Sequence, residues 1–218
     1  MTPPSDSAAT SPARAERQRS GKALRTWQGL VRATREEIKE AGGFTGERVA
    51  LRAGTSPATF YSYFASKDAA LDAAFDAVLE DLIATVGDVL RIEELLDHGL
   101  TVTCQRLVRD VTRFFDSESL LFRLALARIP ENEAIRATFI ERQKQCLASV
   151  RRFISLGQKA GRIRDDDADV LAASLLLFGQ GLNNPLIVGR RARRHLLEAL
   201  ARSAEALLAP ERSGEPAN

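Results

Sequence analysis

Residues 45–68 of the sequence read TGERVALRAGTSPATFYSYFASKD, and this stretch decides how the chain folds. Two short helices that cross at a steep angle need a small residue at their contact, a turn residue that can take a positive φ, and an apolar anchor. Ala50, Gly54 and Phe60 have the spacing that supplies these three residues in that order. The spacing therefore predicts a helix-turn-helix, followed by the beginning of a further helix.

The second helix of this motif is predicted to begin directly after the turn. Ser56 is a natural N-cap, and Pro57 suits the first helical position, where no amide hydrogen is missed. Phe60 and Phe64 share one face of the helix, which we expect to point inward. Small residues on the opposite face can approach the base edges of DNA, while tyrosine hydroxyls on the flanks reach phosphates. The residues on that face and its flanks are Ala58, Thr59, Tyr61, Ser62 and Tyr63.

The stretch matches a known family pattern at Val49, Ala50, Ala53, Gly54, Ser56, Thr59, Phe60, Tyr61, Tyr63, Phe64, Ser66, Lys67 and Leu71. Over about residues 22–75 it resembles the DNA-binding domain of the TetR-type, or tetracycline-repressor-like, transcriptional regulators. Two positions depart from the pattern, since Thr55 replaces an aliphatic residue and Ala58 stands where glycine is common. The connection Gly42–Phe44 is also a little shorter than the family norm.

The resemblance implies which residues contact DNA. In such regulators the third helix enters the major groove, and residues at the positions of Thr45, Ser56, Thr59, Tyr61, Tyr63 and Lys67 touch phosphates or bases. The predicted partner is double-stranded DNA with a palindromic operator, read by two copies of the motif. The complete set of predicted DNA-binding residues is Thr45, Thr55, Ser56, Ala58, Thr59, Tyr61, Ser62, Tyr63 and Lys67.

The 218 residues have the composition of an ordinary globular protein, with 44% hydrophobic and 28% charged residues. No apolar run approaches the roughly 18 residues that cross a bilayer, so we expect a cytoplasmic protein without a membrane partner. The charge is uneven, because residues 1–64 carry ten basic and six acidic residues while the remainder carry 21 and 23. A basic N-terminal part favours a polyanionic partner. Cys104 and Cys146 have no partner motif and are expected to be free thiols.

The sequence divides into a small head and a larger body. We predict a disordered arm over residues 1–20, a helix-turn-helix head over 21–68, a helical body over 69–209 and a disordered tail over 210–218. No linker separates head from body, so a fourth helix is expected to join them rigidly. The predicted class is all-α, with a three-helix head, a helical-bundle body for ligand binding and dimerisation, and about nine helices. The later helical segments are Val89–His98, Thr101–Phe115, Ser117–Ile129, Glu131–Leu156, Asp167–Leu182 and Arg190–Leu208.

Aromatic residues in the body form either a plain core or the lining of a ligand cavity, and the sequence favours neither alternative. Asp165, Asp166 and Asp167 favour the start of a helix over a metal site, because carboxylates complement the helix macrodipole there. The predicted pocket, for an unidentified apolar small-molecule effector, consists of Phe114, Phe115, Phe122, Phe139, Phe178 and Asn183.

The last two helical segments carry more apolar surface than the chain can easily cover. Asp167–Leu182 is apolar on nearly all faces, and Arg190–Leu208 carries a second apolar stripe. We expect both segments to pair with their copies across a two-fold axis, in a homodimer with a four-helix interface. The predicted interface residues are Leu171, Leu175, Phe178, Leu196, Leu197, Leu200 and Ala204.

Together these features favour a ligand-responsive homodimeric repressor that a small-molecule effector releases from its operator. The alternative is an all-helical enzyme or sensor that uses the aromatic cavity without binding DNA. His98 and His195 are isolated, and the sequence has no phosphate-binding glycine loop and no nucleophile with an evident base. We therefore predict that the protein is not an enzyme, with no catalytic residue, no metal site and no cofactor.

Overall fold

The computed structural model describes residues 21–184, 187 and 194–210. These residues form eight α-helices and no strand, which confirms the all-α prediction. The predicted arm (residues 1–20), the predicted tail after Pro210 and the start of the last predicted helix at Arg190 lie outside the described residues. None of the eight helices is both long and apolar enough to span a membrane. The helices are α1 (Gly21–Ala41), α2 (Gly46–Arg52), α3 (Pro57–Tyr63), α4 (Lys67–Val89), α5 (Ile92–Arg128), α6 (Glu133–Lys159), α7 (Ala168–Gly181) and α8 (Arg194–Leu208).

Side-chain hydroxyl groups cap the N-termini of three helices in and beside the head. Thr45, Ser56 and Ser66 cap α2, α3 and α4, and each side-chain oxygen accepts a hydrogen bond from the backbone N–H three residues later, at 3.1–3.3 Å. Gly54 takes a φ of 67° in the turn between α2 and α3. These features confirm the predicted helix-turn-helix.

The head has a small core of its own. Leu30 of α1, Val49 and Ala50 of α2 and Phe60 of α3 are all fully buried in one cluster. α2 and α3 have only seven residues each, so packing rather than intrinsic helical propensity holds them in place.

α4 belongs to two cores. Ala70 packs in the head cluster, whereas Leu71, Phe75 and Val78 pack in the larger cluster of the body. One uninterrupted helix of 23 residues carries both sets. A displacement of α4 in the body therefore reaches the head without a flexible tether to absorb it.

A polar joint, formed by Arg35, Asp81 and Glu118, connects α1 to α4 and α5. Arg35 Nε and Nη2 each donate a hydrogen bond to a carboxylate oxygen of Glu118, both at 3.0 Å, and Nη1 donates one to Asp81 at 2.5 Å. Glu118 is only 4% exposed, and Lys39 Nζ also lies 3.8 Å from its Oε1, so two cations face this buried carboxylate. Burial alone would lower the pKa of Arg35, but the hydrogen bonds to Glu118 and Asp81 raise it above its ordinary value.

α5 is longer than the sequence predicts. A boundary is expected at Asp116, but the helical backbone continues through it, and Ile92–Arg128 is interrupted only by a kink at Gly99, where φ is 79° and two helices meet. Ser117 lies inside the helix because its hydroxyl donates a hydrogen bond to the Phe114 carbonyl at 2.8 Å. The kink at Gly99 agrees with the predicted boundary between His98 and Thr101, so the eight elements of the described residues include one that consists of two helices.

The body is a bundle of α4, α5, α6, α7 and α8. α4 packs against α5 and α6, α6 packs against α7, and α8 packs against α5 and α7. Asp167 caps α7, because its carboxylate accepts hydrogen bonds from the backbone N–H groups of Asp169 and Val170 at 2.8 and 3.2 Å. The acidic run at residues 165–167 thus begins a helix, as predicted.

An acidic edge of α4 faces α6. Arg142 of α6 donates hydrogen bonds to Asp76 from Nε at 2.6 Å and from Nη2 at 2.9 Å. Asp72 differs, because its buried Oδ1 has no hydrogen-bond partner among the described residues. Burial raises the pKa of Asp72, a hydrogen bond from Thr138 opposes this change, and the charge of Asp76 reinforces it. The acidic edge consists of Asp68, Asp72, Asp76 and Glu80.

Gly157 allows a close approach near the C-terminal end of α6. A Cβ at this position would lie 2.5 Å from Ile163 Cδ1 and 3.1 Å from Leu95 Cδ2. Gly161 takes a φ of 66° in the following turn, which brings Ile163 back onto the helix. The turn therefore requires a residue without a side chain at position 157.

We expect Asp72→Asn to raise the free energy of unfolding by about 1 kcal/mol near neutral pH, because an amide costs less to bury than an unpaired carboxylate oxygen. The raised pKa means that the folded protein takes up this proton before the unfolded chain does. Wild-type stability therefore recovers as the pH falls through the folded pKa, and the advantage of the variant should shrink on acidification. Urea unfolding at neutral and mildly acidic pH measures both effects. Glu141→Gln, at an exposed carboxylate of α6, is the control, and an advantage that grows on acidification would contradict the prediction.

We expect Gly157→Ala to lower the free energy of unfolding by about 1–3 kcal/mol, because the added methyl group collides with Ile163. Gly29→Ala in the middle of α1 is the matched control, since a Cβ there meets nothing within 4 Å. The control should gain up to about 1 kcal/mol from better helix propensity. Chemical denaturation measures both variants, and equal effects of the two substitutions would refute the proposed collision.

Candidate functional site

α3 separates an apolar side from a polar side. Phe60 is fully buried and Phe64 is 3% exposed, with ring centroids 5.3 Å apart. The other side carries short side chains that are exposed or half-buried. We call this set, Ser56, Ala58, Thr59 and Ser62, the outer face of α3. Because its side chains are short, a partner with a matching groove can approach the helix closely.

The hydroxyl groups near the outer face bond locally. Ser62 Oγ donates a hydrogen bond to the Thr59 carbonyl at 2.7 Å, and the hydroxyl oxygens of Ser56 and Thr59 are 3.0 Å apart. Thr55 is half-buried, and its hydroxyl donates a hydrogen bond to the Ala50 carbonyl at 3.3 Å. Thr55 therefore closes the turn after α2, although the sequence analysis includes it among the DNA contacts.

Tyr61 lies on the flank of α3 beside the start of α2. It is 50% exposed, its ring packs edge-on against Phe60 with centroids 5.1 Å apart, and its hydroxyl lies 3.5 Å from Glu47 Oε1. A Cβ at Gly46 would lie 2.9 Å from the Tyr61 hydroxyl and from Phe60 Cδ1. Glycine at position 46 therefore leaves room for both rings.

Three of the predicted DNA-contact residues lie around the carboxylate of Glu47. Hydrogen bonds from its own backbone N–H, from Thr45 and from Tyr61 lower the pKa of Glu47, and the charge of Lys67 lowers it further. The Lys67 ammonium also lies 5.3 Å from the centroid of the Phe44 ring. Thr45, Tyr61 and Lys67 thus share one region of the surface, with a carboxylate that sequence reasoning missed. The remaining predicted residue, Tyr63, is half-buried against the head core.

Two arginines of α2 brace the head rather than extend from it. Arg52 Nε donates a hydrogen bond to Glu37 Oε1 at 2.7 Å, and Arg52 Nη1 donates one to Glu40 at 2.8 Å. The hydrogen bonds to Glu40 and Glu37 raise the pKa of Arg52 above its ordinary value. Arg48 forms an ion pair with the same carboxylate, with its Nε 2.8 Å from Glu37 Oε2. The basic charge of the head is therefore partly neutralised within it.

A cavity of 160 Å³ lies between α4, α5, α6 and α7. The rings of Phe115 and Phe122, with centroids 5.0 Å apart, form part of its wall. A smaller cavity of 60 Å³ adjoins it, and Leu82, Phe115, Cys146, Leu176 and Gln180 line both. The other residues that line the larger cavity are Leu79, Ile83, Phe122, Leu126, Phe139, Arg142, Gln143 and Asn183.

The predicted pocket residues lie in or beside these cavities. Phe115, Phe122, Phe139 and Asn183 line the larger cavity, and Phe178 lines the smaller one. Phe114 is not part of either lining, and its ring packs edge-on against Phe115 and Phe122. The prediction that these residues bind an effector remains a prediction. Sequence reasoning missed Arg142 and Gln143, although Gln143 and Cys146 follow Phe139 at helical spacing.

Both cysteines are free and buried. Burial raises the pKa of Cys104 to about 12, and it also raises the pKa of Cys146. Both thiols therefore stay protonated near neutral pH, including the thiol of Cys146 at the cavity wall. Among the described residues, no group of three or more His, Cys, Asp or Glu side chains could hold a metal ion.

The predicted dimer residues divide into an inward and an outward set. Leu171, Leu175 and Ala204 are already buried in the core of the chain itself. Phe178, Leu197 and Leu200 are half-buried, and Leu196 is exposed. Two exposed residues of α7 that the sequence analysis does not select, Val170 and Leu177, complete the outward apolar surface.

Comparison with known proteins agrees with this geometry. Residues 30–74 match the family model for bacterial regulatory proteins of the tetR family. No curated protein sequence matches the chain. Among solved structures, a protein from Mesorhizobium loti assigned to the TetR family of transcriptional regulators has a TM-score of 0.72 and 18% identity, covering 87% of this chain and 100% of that one.

Two further solved structures have the same fold. A TetR transcription regulator from Haloarcula marismortui has a TM-score of 0.64 and 21% identity, covering 84% of this chain and 95% of that one. A protein from Saccharomonospora viridis, assigned as a transcriptional regulator and solved in complex with choline, has a TM-score of 0.67 and 22% identity, covering 87% of this chain and 100% of that one. Residues 30–74 of this chain are therefore similar to the tetR family of bacterial regulatory proteins, and the chain as a whole has the fold of solved structures of TetR-family transcriptional regulators.

Proposed function

We propose that this chain is a cytoplasmic, homodimeric repressor that binds a palindromic operator in double-stranded DNA and is released from it by a small apolar effector. The observation that carries the proposal is the outer face of α3, which presents short polar side chains while Phe60 and Phe64 anchor the opposite side. A short-chained helix surface of this kind suits the major groove. Residues 21–68 then act as the DNA reader and residues 69–209 as the sensor.

The outer face is proposed to read base edges, while residues around Glu47 fix the head on phosphates. Short hydroxyls and methyl groups on the outer face suit contacts with base edges and thymine methyl groups. Tyr61, Thr45 and Lys67 supply donors that suit phosphate oxygens. No arginine or glutamine belongs to the outer face, so each base pair contributes modest discrimination and DNA shape contributes the rest.

The proposed homodimer uses the outward apolar surface of α7 and α8. Val170 is 58% exposed, Leu177 is 65% exposed and Leu196 is 42% exposed. Covering apolar area contributes roughly 25 cal/mol per Å² to association. Two-fold pairing would place two copies of α3 on one duplex, as a palindromic operator requires.

The proposed response to an effector acts through α4. Leu79, Leu82 and Ile83 of this helix line the cavity, and Ala70 of the same helix packs in the head core. An effector that favours one position of α4 changes the spacing of the two heads in the dimer. Reversing a 99:1 equilibrium in this way takes about 5.5 kcal/mol of differential affinity.

Selection of bound sequences from random DNA by the purified full-length protein tests the proposal. We expect a palindromic consensus and an affinity that falls steeply as the salt concentration rises, because phosphate contacts release counterions. Recovery of no preferred sequence, or binding that does not respond to salt, would refute the proposed DNA-reading role.

We expect Tyr61→Phe to weaken binding to specific and nonspecific DNA by a similar factor, about fivefold, because a hydroxyl that contacts a phosphate carries no sequence information. Mobility shift on operator and unrelated DNA measures both affinities. Ser149→Ala, which removes an exposed hydroxyl from α6, is the control and should bind like the wild type. A variant that keeps its affinity but prefers another sequence would contradict the assignment.

We expect Leu177→Arg to produce monomers, because a buried unpaired guanidinium at a dimer interface costs several kcal/mol. Leu51→Arg is the control, since Leu51 is 80% exposed but lies on α2 in the head. Sedimentation velocity separates the two oligomeric states. An intact dimer of Leu177→Arg would show that this face of α7 does not form the interface.

A further inference from the structure

The cavity is large enough for one ring and a short branch. Its 160 Å³ is close to the roughly 150 Å³ of a protein cavity that binds benzene. The adjoining 60 Å³ is bounded by aliphatic residues such as Val86, Val111 and Leu175. Phe115 and Leu176 line both spaces, so a single ligand can occupy them together.

Arg142 is the only charged side chain among the described residues that line the cavity, and its charge is already paired. Its Nε and Nη2 donate hydrogen bonds to the two carboxylate oxygens of Asp76 at 2.6 and 2.9 Å, and its Nη1 donates one to Gln145 at 3.1 Å. Nη2 also lies 3.7 Å from Glu80. The acidic edge of α4 therefore balances this charge from outside the cavity. A ligand ion would be buried without a counter-charge from the described lining, which is costly.

Apart from Arg142 and the thiol of Cys146, the polar side chains among the described lining residues are amides. Gln143, Gln180 and Asn183 line the larger cavity, and the structure gives their side chains no hydrogen-bond partner among the described residues. Each amide offers both a donor and an acceptor. Such groups pair best with a ligand group that also donates and accepts, such as an amide or a hydroxyl.

We propose that the cavity takes an uncharged, single-ring molecule with a short aliphatic arm and one amide or hydroxyl group, and that Asp76 enforces this choice by pairing with Arg142. The inference rests on the proposed effector role of the cavity and names the chemical class of the effector. The choline bound by the Saccharomonospora viridis protein is a permanent cation. Choline lacks the required ring, and in this cavity it would meet a guanidinium instead of a carboxylate.

Calorimetric titration of the DNA-free, full-length protein with four matched compounds tests the proposal. Hydrocinnamamide is neutral, hydrocinnamate is its anionic counterpart, phenylpropylammonium is the cation, and choline is the comparison compound. We expect hydrocinnamamide to bind about tenfold or more tightly than each of the three ions, a difference of about 1.4 kcal/mol or more. An ion that binds as tightly as the amide, or no detectable binding of the amide at millimolar concentration, would overturn the proposal.

Two substitutions separate the roles of charge and hydrogen bonding. Asp76→Asn removes the carboxylate that pairs with Arg142, so hydrocinnamate should bind about tenfold more tightly than to the wild type while hydrocinnamamide is little changed. Gln143→Leu should weaken hydrocinnamamide severalfold and leave propylbenzene, which has no polar group, unchanged. Failure of hydrocinnamate to gain affinity from Asp76→Asn would refute the proposed role of Asp76.

Mobility shift with the same compounds distinguishes this inference from the proposed function. Tight binding of hydrocinnamamide without release of operator DNA would support the ligand class and count against effector-controlled repression. Release of operator DNA by choline or by another of the ions, but not by the amide, would support the repressor and overturn the ligand class.

Discussion

The burial of Phe60 beneath α3 is the contact on which the rest of the molecule depends. Its ring lies against Gly46 at the start of α2, and it holds together two helices of seven residues each. Helices this short are marginal in water, so their geometry comes from the ring they enclose. Because this contact fixes one side of α3, the other side can remain a surface of short side chains, of which Ser56 also caps the helix. The buried rings and the short exposed side chains thus lie on opposite sides of a single short helix.

Several charged side chains of the head form ion pairs within the protein and are therefore less available to a partner. Arg48 and Arg52 hold α2 against α1 through Glu37, and Arg35 holds α1 against α5 through Glu118. Counting basic and acidic residues in the sequence therefore overstates the basic surface that is available to bind a polyanion. In the proposed binding to DNA, the shape of α3 and a few placed donors would therefore count for more than a broad positive field.

Features that depend on neighbouring residues could be predicted from the sequence, whereas features that depend on distant ones could not. The caps and the turn at Gly54 follow from residues within a few positions of each other, and the structure confirms them. The continuity of α5 through Ser117 was missed because a polar residue in a helix can bond to its own backbone. The apolar pattern of α7 did not reveal that Leu175 points into the core while Leu177 points outward. The partner of Arg142 lies 66 residues away in the sequence, so its neutralisation could be recognised only in three dimensions.

The polar joint of Arg35, Asp81 and Glu118 limits how the head can move on the body. Removing one partner of a buried ion pair typically costs about 3–5 kcal/mol, whereas coupling between two ligand sites is typically about 1–3 kcal/mol. A movement of the head that keeps Arg35 on Glu118 therefore costs less than one that separates the two side chains. Ile38 of α1 also packs in the core of the body, so α1 is attached to the body beside this pair as well. Glu118 thus anchors α1 to α5, and Phe115, about one helical turn away on α5, lies in the cavity wall.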